Sequence, residues 1–234
     1  MRSWLRRSGI KARGISISNT AILNPLDFKN RWIRLSLLEL LAYCPTEESR
    51  QISASIQSDN AEFHGIWNDY YGSYMWLHTN KAGAALLYGG TQSHPEYWER
   101  GREIEEAARR RITKLPKAVA AMVEPQHPKS LGWTMAMWAD GPESKWQDLT
   151  GEDPKCLAVA ELSDGIVFAG SIRDACDWVL EEMEPPTNSQ QAITAVLEGK
   201  PLTRKITNAF EDRCPIERIL DTAAQLCYPV DSDL

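Results

Sequence analysis

Residues 131–183 read LGWTMAMWADGPESKWQDLTGEDPKCLAVAELSDGIVFAGSIRDACDWVLEEM. Three patterns follow one another here. First, 131–139 alternate as a strand does, with Trp133, Met135 and Met137 on one face, and Asp140-Gly141 supplies a turn. Second, 156–160 and 166–169 are short apolar runs on either side of Ser163-Asp164-Gly165, which predicts a hairpin over 156–169. Third, Ser171 and Asp174 form a capping box, and Ile172, Ala175, Trp178 and Val179 share one helical face until Pro185-Pro186 stops it. The polar stretch 142–154 between strand and hairpin reads as a loop.

Helices are expected on both sides of this block. Phe28, Trp32, Leu35, Leu38 and Leu41 follow helical spacing over 27–44, with Asp27 as N-cap and Pro45 as the stop. Ser93 and Glu96 open a second capping box, with Pro95 in the first turn, and the pattern predicts a helix over 93–115. Downstream, 188–198 closes at Gly199 and Pro201, 202–210 reads as a turn or two, and 215–227 begins at Pro215. Strand and hairpin followed by helices, with helices also before them, argue for an α+β fold. The reading is a helix-rich single domain whose helices pack on a small antiparallel sheet, rather than a wound parallel sheet.

Two stretches are less decided. Residues 46–60 are polar and read as a short helix or loop, while 83–90 (GAALLYGG) fit either a buried strand or a packed loop. Residues 61–77 hold the densest aromatic cluster. Phe63, Trp67, Tyr70, Tyr71 and Tyr74 form one broad stripe if the segment is helical, although Gly65 and Gly72 each weaken a helix by about 1 kcal/mol.

The 234 residues are 43% apolar and 25% charged, enough to bury a sizeable core. Nine Trp, seven Tyr and four Phe exclude wholesale disorder. No run approaches the roughly eighteen apolar residues that a membrane-spanning helix needs. Charge divides the chain in two. Residues 1–26 carry Arg2, Arg6, Arg7, Lys11 and Arg13 and no acid, which leaves 21 basic against 32 acidic side chains in 27–234. The domain reading is a basic N-terminal arm over 1–26 and one α+β domain over 27–234, with a possible sub-boundary at the proline-containing loop 125–130. The arm fits a solvated tail, a nucleic-acid contact or an organellar transit peptide. An acidic body repels phosphates and suits a basic protein partner. The five cysteines make no CxxC pair, and an odd count points to a reducing compartment and a cytoplasmic protein.

Catalytic signatures are sparse. The histidines His64, His78, His94 and His127 form no metal-binding spacing, and no zinc, nucleophile-elbow, Walker or dinucleotide motif occurs, so neither metal nor cofactor is implied. Arg109, Arg110 and Arg111 follow Glu105-Glu106 by one helical turn, which reads as a salt-bridged surface. Three functional readings remain. The leading one is a non-enzymatic protein-binding module, such as an inhibitor, immunity-type protein or adaptor. It would contact its partner through Phe63, Trp67, Asp69, Tyr70 and Tyr74, if these are not simply core. The second is a nucleic-acid-associated protein using the arm arginines, with Arg109–Arg111, Lys200, Arg204 and Lys205 in support. The third is an enzyme whose site joins His64 and Asp69 to the loop 89–94.

Overall fold

The computed structural model describes residues 23–57, 62–68, 73–90, 133–148 and 171–234, together with 113–114, 116–117 and 120–121. Helix α1 spans Pro25–Tyr43. It starts two residues earlier than expected. Asn24, not Asp27, is the N-cap, and its side chain accepts from the Asp27 amide at 2.9 Å while donating to the Asp27 carboxylate. Pro25 suits the first turn because its missing N–H would have been unpaired there anyway. Between Asp27 and Tyr43 no residue of α1 is exposed. A helix apolar on nearly every side is buried on every side, and α1 is the central element of the fold.

One side of α1 meets the sheet. A 3-10 turn at Glu47–Ser49 leads into β1 (Ile52–Gln57), followed by β2 (Glu62–Asn68), β3 (Ser73–Asn80), β4 (Gly83–Gly90), β5 (Trp133–Ala139) and the two-residue β6 (Gln147–Asp148). These six strands lie in sequence order, and every neighbouring pair is antiparallel. The other side of α1 meets helices. α2 is Ile172–Glu182, α3 Gln190–Leu197, α4 Arg204–Asn208 and α5 Ile216–Gln225, with α3 and α5 against α1. One apolar cluster joins Phe63, Trp67, Met75, Leu77 and Leu86 of the sheet through Trp32 and Leu38 to Val179, Ile193 and Ile219 of the helices. The class is α+β, as the sequence implies.

The strand expected over 131–139 stands at Trp133–Ala139, and the capping box at Ser171/Asp174 and the C-terminal helices stand where the pattern put them. The hairpin expected over 156–169 lies outside the described residues. So does the helix expected over 93–115, apart from 113 and 114, which form a turn. Within the stretch read as helix or loop, Ile52, Ala54 and Ile56 alternate with Ser53, Ser55 and Gln57, and this period of two makes a strand. Residues 83–90 resolve as strand β4.

The main correction is 61–77, where the helical stripe is replaced by strands β2 and β3. Phe63 and Trp67 are four apart, a spacing that returns a side chain to the same face in a helix and in a strand alike. Between them stands Gly65, on the same strand face. A methyl group there would lie 2.6–2.8 Å from three indole atoms of Trp32. The missing side chain lets the indole rest on the sheet backbone, where its Nε1 donates to the Ser53 carbonyl at 3.0 Å.

The C-terminal end of α1 has no basic residue of its own in the last turn. Arginines from far along the chain close it instead. Arg213 donates to the Ala42 carbonyl at 3.1 Å, and Arg218 donates to the carbonyls of Cys44 and Pro45. In return Arg34 of α1 donates to the Leu197 carbonyl at the end of α3, at 2.8 Å. Cations at these ends also complement the partial negative charge of the helix dipole.

Candidate functional site

Cross-strand partners share a sheet face. The face turned away from α1 therefore carries Ser55, His64, His78 and Ala85 in one row and Ser53, Ile66, Trp76 and Leu87 in the next. The first row holds a close pair of histidines. His64 on β2 and His78 on β3 are register partners, and their Nδ1 atoms are 2.8 Å apart with ring planes at 76°. Both rings are buried. Burial lowers the pKa of each, that of His78 to about 4, where the neighbouring His64 lowers it further. Glu62 acts in the opposite direction on His64.

The geometry selects one proton arrangement for the neutral pair. Its bond needs one Nδ1 protonated and the other bare. His64 Nε2 has no hydrogen-bond partner but faces the Glu62 carboxylate at 3.8 Å, so it is the nitrogen that should carry hydrogen. His78 Nδ1–H then donates to His64 Nδ1, and His64 Nε2–H points at Glu62. Ser55 on β1 is the register partner of His64 on the same face. Asp69, the expected orienting partner, lies outside the described residues, as do 91–94 of the loop that the enzyme reading required.

The aromatic contact residues divide. Phe63 and Trp67 point inward and are 0% and 4% exposed. Lys29 of α1 lies 5.5 Å from the Phe63 ring centroid, a cation–π contact inside the fold. Asp69 and Tyr70 are outside the described residues. Tyr74 stands on the outward face, half-buried, and stacks on Trp76 at 5.3 Å between ring centroids. Ile66, two residues along from His64, is 37% exposed. Sequence reasoning passed over Ile66 and Trp76, because the helical reading of 61–77 placed neither on the stripe. A period-two reading of 62–68 would have set Ile66 opposite Phe63 and Trp67.

A second titratable cluster joins α1 to β1. Buried Glu39 accepts from the amides of Gln51 at 2.6 Å and Ile52 at 3.1 Å, while Arg50 donates to the carbonyl and hydroxyl of Ser36. Burial raises the Glu39 pKa to about 7 against the pull of those amides and of Arg50. Both ends of this network are occupied by protein groups, so its work is to fix the start of β1. Among the described residues no group of three or more His, Cys, Asp or Glu is placed to hold a metal ion.

A cavity of about 340 Å³ opens elsewhere, under the C-terminal end of α1, between Leu41, Phe210, Cys214, Ile219 and the side chains of Arg204 and Arg213. None of the expected contact or catalytic residues lines it. Arg204 is the one group there that a functional reading had singled out. The basic arm falls outside the described residues through residue 22, as do Arg109, Arg110 and Arg111. No described helix is long and apolar enough to cross a membrane. No family model, curated protein or solved structure matches the chain.

Proposed function

We propose that the chain is a non-catalytic protein-binding module that docks its partner on the strip of β2 and β3 where Ile66 is exposed and Tyr74 half-buried, on the sheet face turned away from α1. The exposed Ile66 beside the Tyr74–Trp76 stack carries this reading. Buried Trp76 backs the half-buried Tyr74 ring, and an aromatic ring with one wet edge buries area at low entropic cost, as groups at binding hot spots do. Ser53, Ser55, Gln57 and Glu62 supply a polar rim on the same face. Phe63 and Trp67 act as the floor beneath it rather than as contacts.

A basic partner suits the charge. Residues 171–234 carry twelve acidic against six basic side chains. Arg213 and Arg218, two of those six, donate to backbone carbonyls at the end of α1. The remaining surface steers cations toward the molecule and repels phosphate backbones.

The test is affinity capture with the full chain from its native lysate at low and moderate salt, with nuclease treatment. The reading expects one protein retained at moderate salt, at least tenfold less of it on Ile66→Asp and Tyr74→Ala, and unchanged capture on Glu198→Gln at the far side. Retention of nucleic acid alone, lost as salt rises, overturns it. So does a partner indifferent to both sheet-face variants.

A further inference from the structure

Residues 51–57 read QISASIQ, the same in both directions about Ala54. All but the first of these form β1, which is an edge strand of the sheet among the described residues. Backbone groups alternate between the two sides of an antiparallel strand. The Gln51 carbonyl accepts from the Asn68 amide, so Gln51, Ser53, Ser55 and Gln57 pair toward β2. Ile52, Ala54 and Ile56 therefore turn their amides and carbonyls to the open edge. The Ile52 amide is held there by the Glu39 carboxylate at 3.1 Å. Since β2 is the one strand paired with β1 among the described residues, the Ala54 and Ile56 amides have no ladder partner. Open edges in folded proteins are normally guarded by a lysine, a proline, a bulge or an inward charge. β1 has none of these, and its register runs unbroken to Gln57. Ser55 and Gln57 are exposed and Ser53, Ala54 and Ile56 half-buried, so the strand reaches the surface.

We propose that β1 pairs with β1 of a second copy of this chain, antiparallel about a two-fold axis at Ala54, joining the two sheets into one. That axis sets Ala54 opposite Ala54, Ser53 opposite Ser55, Ile52 opposite Ile56 and Gln51 opposite Gln57. The palindrome makes every one of these a like pair. Ile52 and Ile56 meet on the side of α1, and the serines and glutamines meet on the other side, as cross-strand pairs that stabilise a sheet do. Moving the axis to Ser53 or Ser55 would set isoleucine against alanine, so the side chains also fix the register. Ala54 exchanges both of its backbone bonds with Ala54 of the second copy. On either side of the axis the Ile56 amide donates to the Ile52 carbonyl across it. Charge favours the same place. The chain carries a net charge of -6, and two such molecules repel least where neither sets a charge. The contact is isologous and closes at two copies. Its axis stands perpendicular to the sheet, so both α1 helices lie on one side and both Ile66 strips on the other. One short strand buries less than a standard interface, which puts the association in the micromolar range.

The experiment is sedimentation of the full chain from about 1 to 500 µM, with backbone amide exchange measured at both ends of that range. The expected result is a 26.4 kDa monomer that converts to a species of twice that mass as concentration rises. The Ala54 and Ile56 amides should exchange more slowly in the dimer, while Ser53 and Ser55, already bonded to β2, should change little. Ser55→Lys and Ser55→Glu alter an exposed side chain and should each weaken self-association at least tenfold, because like charges then stand diagonally across the axis. An equimolar mixture of the two variants should recover most of the loss, which a folding defect would not do. Ile66→Asp and Tyr74→Ala should leave self-association unchanged, so this result and the sheet-face docking stand or fall separately. A chain that stays monomeric at the highest concentration overturns the proposal, as does a species larger than a dimer. So does a dimer indifferent to both Ser55 variants, or one in which the Ala54 and Ile56 amides exchange as in the monomer. Protection of those amides only when a captured partner is added would give the edge to that partner, and also overturns it.

Discussion

Replacing Gly65 with alanine tests the way the sheet carries α1. The new methyl group would sit 2.6–2.8 Å from Trp32 ring atoms. Ordinary carbon contacts are about 3.5–4.0 Å, so ring and strand must part by roughly 1 Å. Trp32 cannot yield cheaply, because it is fully buried between the sheet and the helices. A movement of that size would also stretch the 3.0 Å bond from its Nε1 to the Ser53 carbonyl beyond useful length. Overpacking costs about 1–3 kcal/mol and the lost hydrogen bond about 1 more. Gly65→Ala should therefore lower stability by about 2–4 kcal/mol, or Tm by about 5–15 °C for a chain of this size. Urea denaturation measures it as a fall in midpoint at constant m. Trp32→Leu alone should cost about 3–5 kcal/mol by leaving a cavity. Combined with it, Gly65→Ala should add less than about 1 kcal/mol, since the clash has gone. A Gly65→Ala protein within about 0.5 kcal/mol of the native one, or a strictly additive double variant, would refute the close-contact argument.

Two pH effects of opposite sign follow from the buried groups. The folded pKa of His78 lies below its unfolded value near 6.5, at about 4. Its neutral form therefore stabilises the fold fully above pH ~6.5, and roughly 3 kcal/mol is lost as pH falls toward 4. His78→Gln should flatten that limb of a urea-stability profile, and an unaltered limb would place the acid sensitivity elsewhere. Glu39 behaves in reverse, because its folded pKa of about 7 exceeds its ordinary value of 4.5. The folded state holds the extra proton, so this contribution is complete below pH ~4.5 and fades as pH rises to 7. Glu39→Gln should remove the decline, and a carboxyl carbon titrating near 4 by NMR would contradict the assignment. Gly199→Ala should cost about 2–4 kcal/mol in thermal melts, from its φ of 80° and from the methyl group meeting Arg34 at 2.5 Å. Arg34 is a long side chain, and a cost under about 0.5 kcal/mol would mean that it swings aside despite its bond to Leu197.

How much could be read in advance depended on whether a segment's pattern had one period or two. α1 and the C-terminal helices carry long 3.6-residue patterns bounded by caps and prolines, and nothing in the fold competes with them. The capping box of Ser171 and Asp174 is a purely local structure, and it forms as its residue types require. β2 failed for a definite reason. Phe63 and Trp67 satisfy both periods, and the residue that distinguishes them, Gly65, is small because of an indole 33 positions upstream. β1 is six residues with three polar side chains, and its inward face shows only once α1 lies beside it. The histidine pair was invisible because His64 and His78 are brought together by strand register, which no local spacing records. The cavity depends on contacts between α1 and residues beyond 200, and so did not register as a motif.

The burial of α1 on all sides has a consequence for synthesis. The helix leaves the ribosome well before the groups that close its end, since Arg213 and Arg218 follow their carbonyl partners by 171 and 174 residues. At 5–20 residues per second the wait is roughly 10–35 s. During that time Trp32, Leu35, Leu38 and Leu41 have no complete set of neighbours. The sheet can cover one flank of the helix while the other stays open to water and to other chains. A nascent chain of this kind is a natural client for chaperones, and its yield should depend on translation speed more than its final stability would suggest.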